Sequence, residues 1–247
     1  MPRPTHDELA RSFDAAASVY ARARPSYPED ALDWLLPAHA HDVLDLGAGT
    51  GKLTAQLADR GLAVTAVEPS PRMRAELERA LSDRVVALAG RAEEIPLPDG
   101  SVDAVLVAQA WHWVDPQRAV REVARVLRPG GRLGLVWNRR DERVGWVAEL
   151  GRILVQPEGR SDARSANVGA PFGPVELFDS APWTQTLSPE GLVELAASRS
   201  YVITLDDERR AELLARVRAL LDRPELTGRT QIELPYVTEC VRAELRA

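Results

Sequence analysis

Three glycines at alternate positions, Gly47, Gly49 and Gly51, follow directly on the apolar run Val43-Leu44-Asp45-Leu46. No other feature restricts the fold of this chain as much. Glycines crowded behind a strand let the backbone turn tightly and approach a ligand with no Cβ in the way. A helix is expected to begin at once, from about Gly51 to Arg60, and the free N–H groups at its start favour an anionic ligand group. The strand itself is short, over residues 41–46.

The stretches that follow repeat this unit. Ala63-Val64-Thr65-Ala66-Val67 is a β-branched run, and a second helix begins near Pro71. Residues 85–88, 102–107 and 132–137 supply three more strands, and residues 116–128 read as a helix that stops at Pro129-Gly130-Gly131. Strands separated by helices imply crossovers and a parallel sheet with helices on both faces. Ahead of this core, Leu9, Phe13, Ala16, Ala17 and Tyr20 recur at spacings of three and four, predicting a helix over 7–20. Pro28 with Glu29 and Asp30 suits the first turn of a helix running through Leu36. Behind the core, residues 156–174 are polar and rich in Gly and Pro, and are expected to form a long loop or lid. Helices near 189–198 and 206–222 follow, bracketed by strands at 182–187 and 230–238. The expected class is α/β, a doubly wound Rossmann-like sheet of seven mostly parallel strands. One domain is expected, with N-terminal cap helices over 1–40 and the core over 41–140. A substrate-side loop, a helical insertion and the last strands would fill 141–247.

Composition excludes several functions. At 247 residues and 45% hydrophobic the chain can bury a sizeable core. Cys240 is its only cysteine, so an intramolecular disulfide cannot form, a cysteine zinc site lacks ligands, and no metal is expected. The opening residues have no apolar signal-peptide core, and no stretch approaches the roughly 18 apolar residues of a spanning helix. A cytoplasmic protein without a membrane partner, monomer or homodimer, is the expectation. The net charge is −6, and no basic block offers a surface for nucleic acid. All but one of the 31 basic residues are arginine, Lys52 being the exception. That skew reads as a GC-rich coding sequence rather than as phosphate recognition.

Glu68 closes the second strand, about 20 residues after the first glycine, where an acid in such a sheet can accept both hydroxyls of a ribose. Three readings of the turn compete. A Walker A loop needs Gly at position 46 and Ser or Thr at 53, where Leu46 and Leu53 stand. A dinucleotide fingerprint places its third glycine three residues after the second, but Gly51 follows Gly49 by two. A bare turn without a ligand would leave the match of glycines, acid and topology to coincidence.

Asp45-x-Gly47-x-Gly49-x-Gly51 resembles the first motif of the class I S-adenosylmethionine-dependent methyltransferases. Glu68-Pro69-Ser70-Pro71-Arg72-Met73 resembles that family's acid and following helix. The stretch from Gly90 to Asp103 is similar to its adenine-side loop and fourth strand, and Leu127-Arg128-Pro129-Gly130-Gly131 to the turn before its fifth. Together these cover about residues 10–140. More narrowly, the run from Tyr20 to Pro28 with Gln109-Ala110-Trp111-His112-Trp113 resembles a subgroup related to trans-aconitate-type and ubiquinone/menaquinone-type methyltransferases.

The resemblance implies S-adenosylmethionine as cofactor and a small-molecule substrate. Gly47, Ala48, Gly49 and Thr50 would hold the methionine end of the cofactor, with Asp45 near its ammonium and Tyr20 and Arg24 as further candidates; a guanidinium matches a carboxylate bidentately. Glu68 would hold the ribose, Pro69 and Met73 would pack near the adenine, and Ala92 and Glu93 would flank it. Arg91 departs from the acid that the family often has there. Gln109, Ala110 and Trp111 would close over the cofactor, with Trp111 or Trp113 facing the sulfonium. Tyr27, Trp113, Trp137, Asn138 and Arg199 are candidates for the acceptor, and an arginine at 199 suits a carboxylate. His112 is the candidate base for a hydroxyl or amine acceptor, with structural packing as its other role. A nicotinamide-dependent oxidoreductase and a non-catalytic binding module are the alternatives.

Overall fold

The strand before the glycines forms as expected: β1 (Asp42–Leu46) is buried over its last four residues, since both of its neighbours are strands and both its faces are covered. The computed structural model describes residues 24–81, 83–154, 166 and 168–246, which fall into two compact units. The expected helix over 7–20, Tyr20 with it, and positions 156–165 and 167 of the expected loop lie outside the described residues.

The larger unit comprises residues 26–138, 161–180 and 238–247. It begins with α1 (Glu29–Leu35), for which Pro28 supplies an extended N-cap. Strands and helices then alternate: β1, α2 (Lys52–Asp59), β2 (Ala63–Val67), α3 (Pro71–Leu81), β3 (Val86–Leu88), β4 (Val102–Ala108), α4 (Pro116–Val126) and β5 (Leu127–Arg140). β1 pairs in parallel with β2 and β4, β2 with β3, and β4 with β5. With β6 (Glu176–Asp179) and β8 (Ile232–Glu244), the strand order is β3-β2-β1-β4-β5-β8-β6, and β6 runs antiparallel to β8. The order reverses direction between β1 and β4, the place where open α/β sheets bind ligands at their carboxyl edge. Asp115 caps α4 by accepting from the N–H groups of Gln117 and Arg118, and Pro116 stands at its first position. Two apolar layers flank the sheet, one with Trp111, Val123, Leu133 and Trp137, the other with Leu32, Leu53, Leu57 and Leu106.

The smaller unit takes residues 139–160 and 181–237, together with the segment that ends at Pro25. Its elements are α5 (Gly145–Ile153), β7 (Trp183–Leu187), α6 (Pro189–Ala197), α7 (Ser200–Ile203) and α8 (Asp207–Leu220). β7 pairs antiparallel with the first residues of β8, and Trp146, Leu150, Leu192, Val217 and Leu234 share one apolar core. The expected helices at 189–198 and 206–222 and strand at 182–187 are therefore present, whereas α5, α7 and β6 were not legible in advance. β8 extends to Glu244, beyond the expected end at 238. No helix among the described residues is long and apolar enough to cross a membrane.

Candidate active site

Gly47, Gly49 and Gly51 have φ of 74°, 58° and 85°, in the left-handed region that glycine alone enters freely. The alternate spacing is thus a backbone requirement. The N–H groups of Gly47 and Ala48 donate to the Val67 carbonyl at 2.8 and 3.2 Å, which draws the end of β2 against the turn. Glu68, the next residue, lies 6% exposed, and its carboxylate accepts from Gly49 N–H and Ser70 N–H, both at 2.8 Å. A Cβ on Gly47 would stand 2.9 Å from Ala110 Cβ, so the turn also packs on the loop after β4.

Asp45 is fully buried one residue before β1 ends. Its Oδ2 accepts from Thr54 Oγ1 at 2.6 Å, while Oδ1 is enclosed with no partner among the described residues. Burial, opposed by the Thr54 bond and reinforced by the Glu68 charge, pushes the Asp45 carboxyl up to about 7. Thr50 Oγ1 is enclosed without a partner as well. Orphaned buried oxygens are costly, and both of these lie at the glycine turn.

The loop after β4 is held by strain and by hydrogen bonds. Gln109 has φ 58°, unusual for a side-chain residue; its N–H donates to Val136 O at 2.9 Å, and its Nε2 to Asn138 O at 3.5 Å. Residues Trp111–Trp113 make one 3-10 turn. Trp111 is 5% exposed and belongs to the apolar cluster that includes Val67, Ala92 and Ile95. His112 is exposed, its ring 4.6 Å from that of the half-buried Trp113. Glu93 accepts from Asp115 N–H at 2.7 Å, joining the loop after β3 to the start of α4. Arg125 braces the same loop by donating to the carbonyls of Ile95 and Leu97 at 2.8 and 2.7 Å. Met73 is buried near the start of α3, its N–H on Ser70 Oγ at 3.3 Å; Pro69 is half-buried and Ala92 buried.

The structure therefore brings Asp45, Gly47, Ala48, Gly49, Glu68 and Ala110 together. Other expected site residues stand elsewhere. Trp137 is 2% exposed inside the core, where alternation along β5 turns it inward, rather than toward an acceptor. The Asn138 amide is committed to its neighbours: Nδ2 donates to Ser26 O at 2.9 Å, and Oδ1 accepts from Thr238 Oγ1 at 2.7 Å. Tyr27 is buried against α2, its backbone exchanging hydrogen bonds with the Gln56 amide at 2.8 and 2.7 Å. Arg24, expected at the cofactor carboxylate, donates instead to Ser198 O at 3.1 Å within the smaller unit, which also holds Arg199. Sequence reasoning missed Thr54, whose only signal was a hydroxyl among the inward positions Leu53 and Leu57 of a helix. It also missed the Gln109 backbone, which no residue type announced.

Comparison with known proteins places the chain in a family. The model of the methyltransferase domain family matches residues 44–135. A protein of Mycobacterium tuberculosis (strain ATCC 25618 / H37Rv), named only as an uncharacterized methyltransferase, is 57% identical over 239 residues, covering 96% of this chain and 97% of its own. An uncharacterized methyltransferase-like protein of Schizosaccharomyces pombe is 35% identical over 95% of each chain. Among solved structures, a geranyl diphosphate methyltransferase in complex with GPP and sinefungin superposes with a TM-score of 0.58 over 98% of this chain and 99% of that one. At 20% identity that likeness shows the fold. Fold, acid-flanked glycine turn and relatives matched along nearly their whole length converge, and the chain belongs to the class I S-adenosylmethionine-dependent methyltransferases.

Proposed function

We propose that the protein moves the methyl group of S-adenosylmethionine to a small-molecule acceptor. The observation that carries this reading is the buried acid beside the glycine turn: Asp45 keeps one oxygen without a partner at the carboxyl edge of β1. A cationic ammonium fits there, since it would pair with that oxygen and restore the carboxylate. Gly47, Ala48, Gly49 and Thr50 would carry the rest of the methionine end, and Glu68 the ribose diol. Pro69, Met73, Ala92 and Glu93 would border the adenine, with Gln109 and Ala110 closing the side toward β4.

Bound S-adenosylmethionine supplies an activated sulfonium methyl group for in-line displacement. The protein's own residues align the reactants and keep water out, and orientation of this kind contributes roughly 7–11 kcal/mol in favourable cases. His112, beside Trp113, would take the proton of a hydroxyl or amine acceptor, and a carboxylate acceptor would not need it. An acidic chain without a basic block supports a small acceptor rather than nucleic acid.

Calorimetric titration with S-adenosylhomocysteine tests the first part, and binding on the micromolar scale is expected. Transfer from methyl-labelled cofactor to a panel of small carboxylic acids, alcohols and amines tests the second. No binding of S-adenosylhomocysteine sinks methyl transfer, and label found only on protein or DNA sinks the small acceptor.

A further inference from the structure

Thr54 is fully buried on α2, with Leu53 and Leu57, and Asp45 is fully buried on β1. A threonine inside a helix commonly turns its hydroxyl back to the carbonyl four residues earlier. Here the single O–H proton goes to another element. Thr54 Oγ1 donates to Asp45 Oδ2 at 2.6 Å, across the glycine turn and nine residues along the chain. That is the length of a hydroxyl bond to an ionised carboxylate.

The bond makes the two Asp45 oxygens unequal. Oδ2 is held, while Oδ1 is enclosed with no partner among the described residues. The strands on either side offer Asp45 nothing polar, since Ala66 of β2 and Leu106 of β4 stand opposite it in the sheet. The groups that act on its carboxyl are Thr54 on α2 and the Glu68 carboxylate that follows β2. Burial raises that carboxyl to about 7, the Thr54 bond opposes the rise, and the Glu68 charge adds to it. Thr54 is thus the one side chain among these that favours the ionised form.

We propose that Thr54 is a positioning residue for the cofactor: its hydroxyl fixes Asp45 by Oδ2 and leaves Oδ1 for the ammonium of the methionine end. The proton that Asp45 holds near neutrality then sits on Oδ1, because Oδ2 already accepts, and cofactor binding releases it to solvent. Without the Thr54 bond the carboxyl is freer to rotate and harder to ionise. Giving Oδ1 to the ammonium rests on the function proposed above, whereas the control of Asp45 by Thr54 does not.

NMR titration of the aspartate carboxyl carbons in the cofactor-free full chain tests the control, the Asp45 signal being the one lost in Asp45→Asn. In Thr54→Val its midpoint rises from about 7 by about one pH unit, a tenfold change in proton affinity, while Thr54→Ser stays close to the wild type. Calorimetry with S-adenosylhomocysteine tests the positioning. Thr54→Val binds it about fivefold more weakly near pH 7, and the gap narrows toward about pH 9, where both carboxyls are ionised. A threonine that only packed would cost stability and leave the midpoint in place. Thr54→Ala removes the same hydroxyl and serves if Thr54→Val does not fold. The proposal is overturned if the midpoint does not move, or if the loss of affinity is absent or equal at every pH. A midpoint that moves in a chain whose wild type binds no S-adenosylhomocysteine would keep the control of Asp45 and remove the methyl-transfer reading.

Discussion

β1 and β4 carry a buried acid at each end of the sheet, and the two are treated in opposite ways. At the amino end, Asp103 is 8% exposed with both oxygens in use: Oδ2 accepts from the N–H groups of His41 and Asp42 at 2.9 Å, and Oδ1 from Arg128 Nη1 at 2.6 Å. Burial works to raise its pKa, but the Arg128 guanidinium and the two backbone donors together hold it down to about 2. At the carboxyl end, Asp45 has one bond, one idle oxygen and a carboxyl raised to about 7. The contrast teaches where this fold keeps stability and where it keeps function. Asp103, fully paired, closes the amino end of the sheet, and Asp45, with one oxygen idle, stands at the carboxyl end, the edge where ligands bind in such sheets.

The largest test of that division is at Glu68. Glu68→Ala removes both the proposed ribose acceptor and the bonds to Gly49 and Ser70 N–H. Calorimetry is expected to show S-adenosylhomocysteine bound about 100-fold more weakly or not at all. An unchanged affinity would break the functional half of the comparison.

Asp103→Asn tests the other end. Its folded pKa lies below the unfolded value, so its stabilisation is present above about pH 4 and is lost as pH falls toward 2. The variant should lose roughly 2–3 kcal/mol in urea unfolding at pH 7 and flatten the acid limb of the wild-type stability curve. Cofactor affinity should hardly move.

Gly47→Ala asks whether the turn is needed as drawn. A side chain at φ 74° with its Cβ 2.9 Å from Ala110 Cβ is expected to cost about 1–2 kcal/mol in the same unfolding assay, and to weaken S-adenosylhomocysteine.

The smallest effect concerns the Asp45 proton. Its folded pKa is raised, so between about pH 4 and 7 the folded protein holds a proton that the unfolded chain releases, and stability without cofactor falls as pH rises across that window. Binding of a cation at Asp45 favours the carboxylate, so wild-type affinity for S-adenosylhomocysteine should rise about tenfold from pH 6 to 8. In Asp45→Asn that slope should vanish. A wild-type affinity flat over this range would show that Asp45 does not meet the ammonium.

The glycine turn was legible because its parts are local. A strand, three glycines and a helix are contiguous, and positive φ at Gly47, Gly49 and Gly51 is written in residue type. Glu68 was legible because the crossover length of a doubly wound sheet places it. The surroundings of Asn138 were not legible because its partners lie far along the chain: Thr238 is 100 residues away and Ser26 is 112. Arg24 and Arg199 were singled out by resemblance alone, in a chain where arginine is everywhere. The hydrogen bond from Arg24 to the Ser198 carbonyl, 174 residues away, is set by the tertiary structure.

By itself the sequence determined the alternation of elements, the parallel sheet, the glycine turn and the acid that follows β2, since each depends on periodicity or on backbone freedom over a few residues. Tertiary structure alone decided that Asp45 keeps an idle oxygen while Asp103 has none, and that Trp111 and Trp137 are core. Those outcomes depend on burial and on hydrogen-bond partners brought from distant parts of the chain, and no local pattern encodes them.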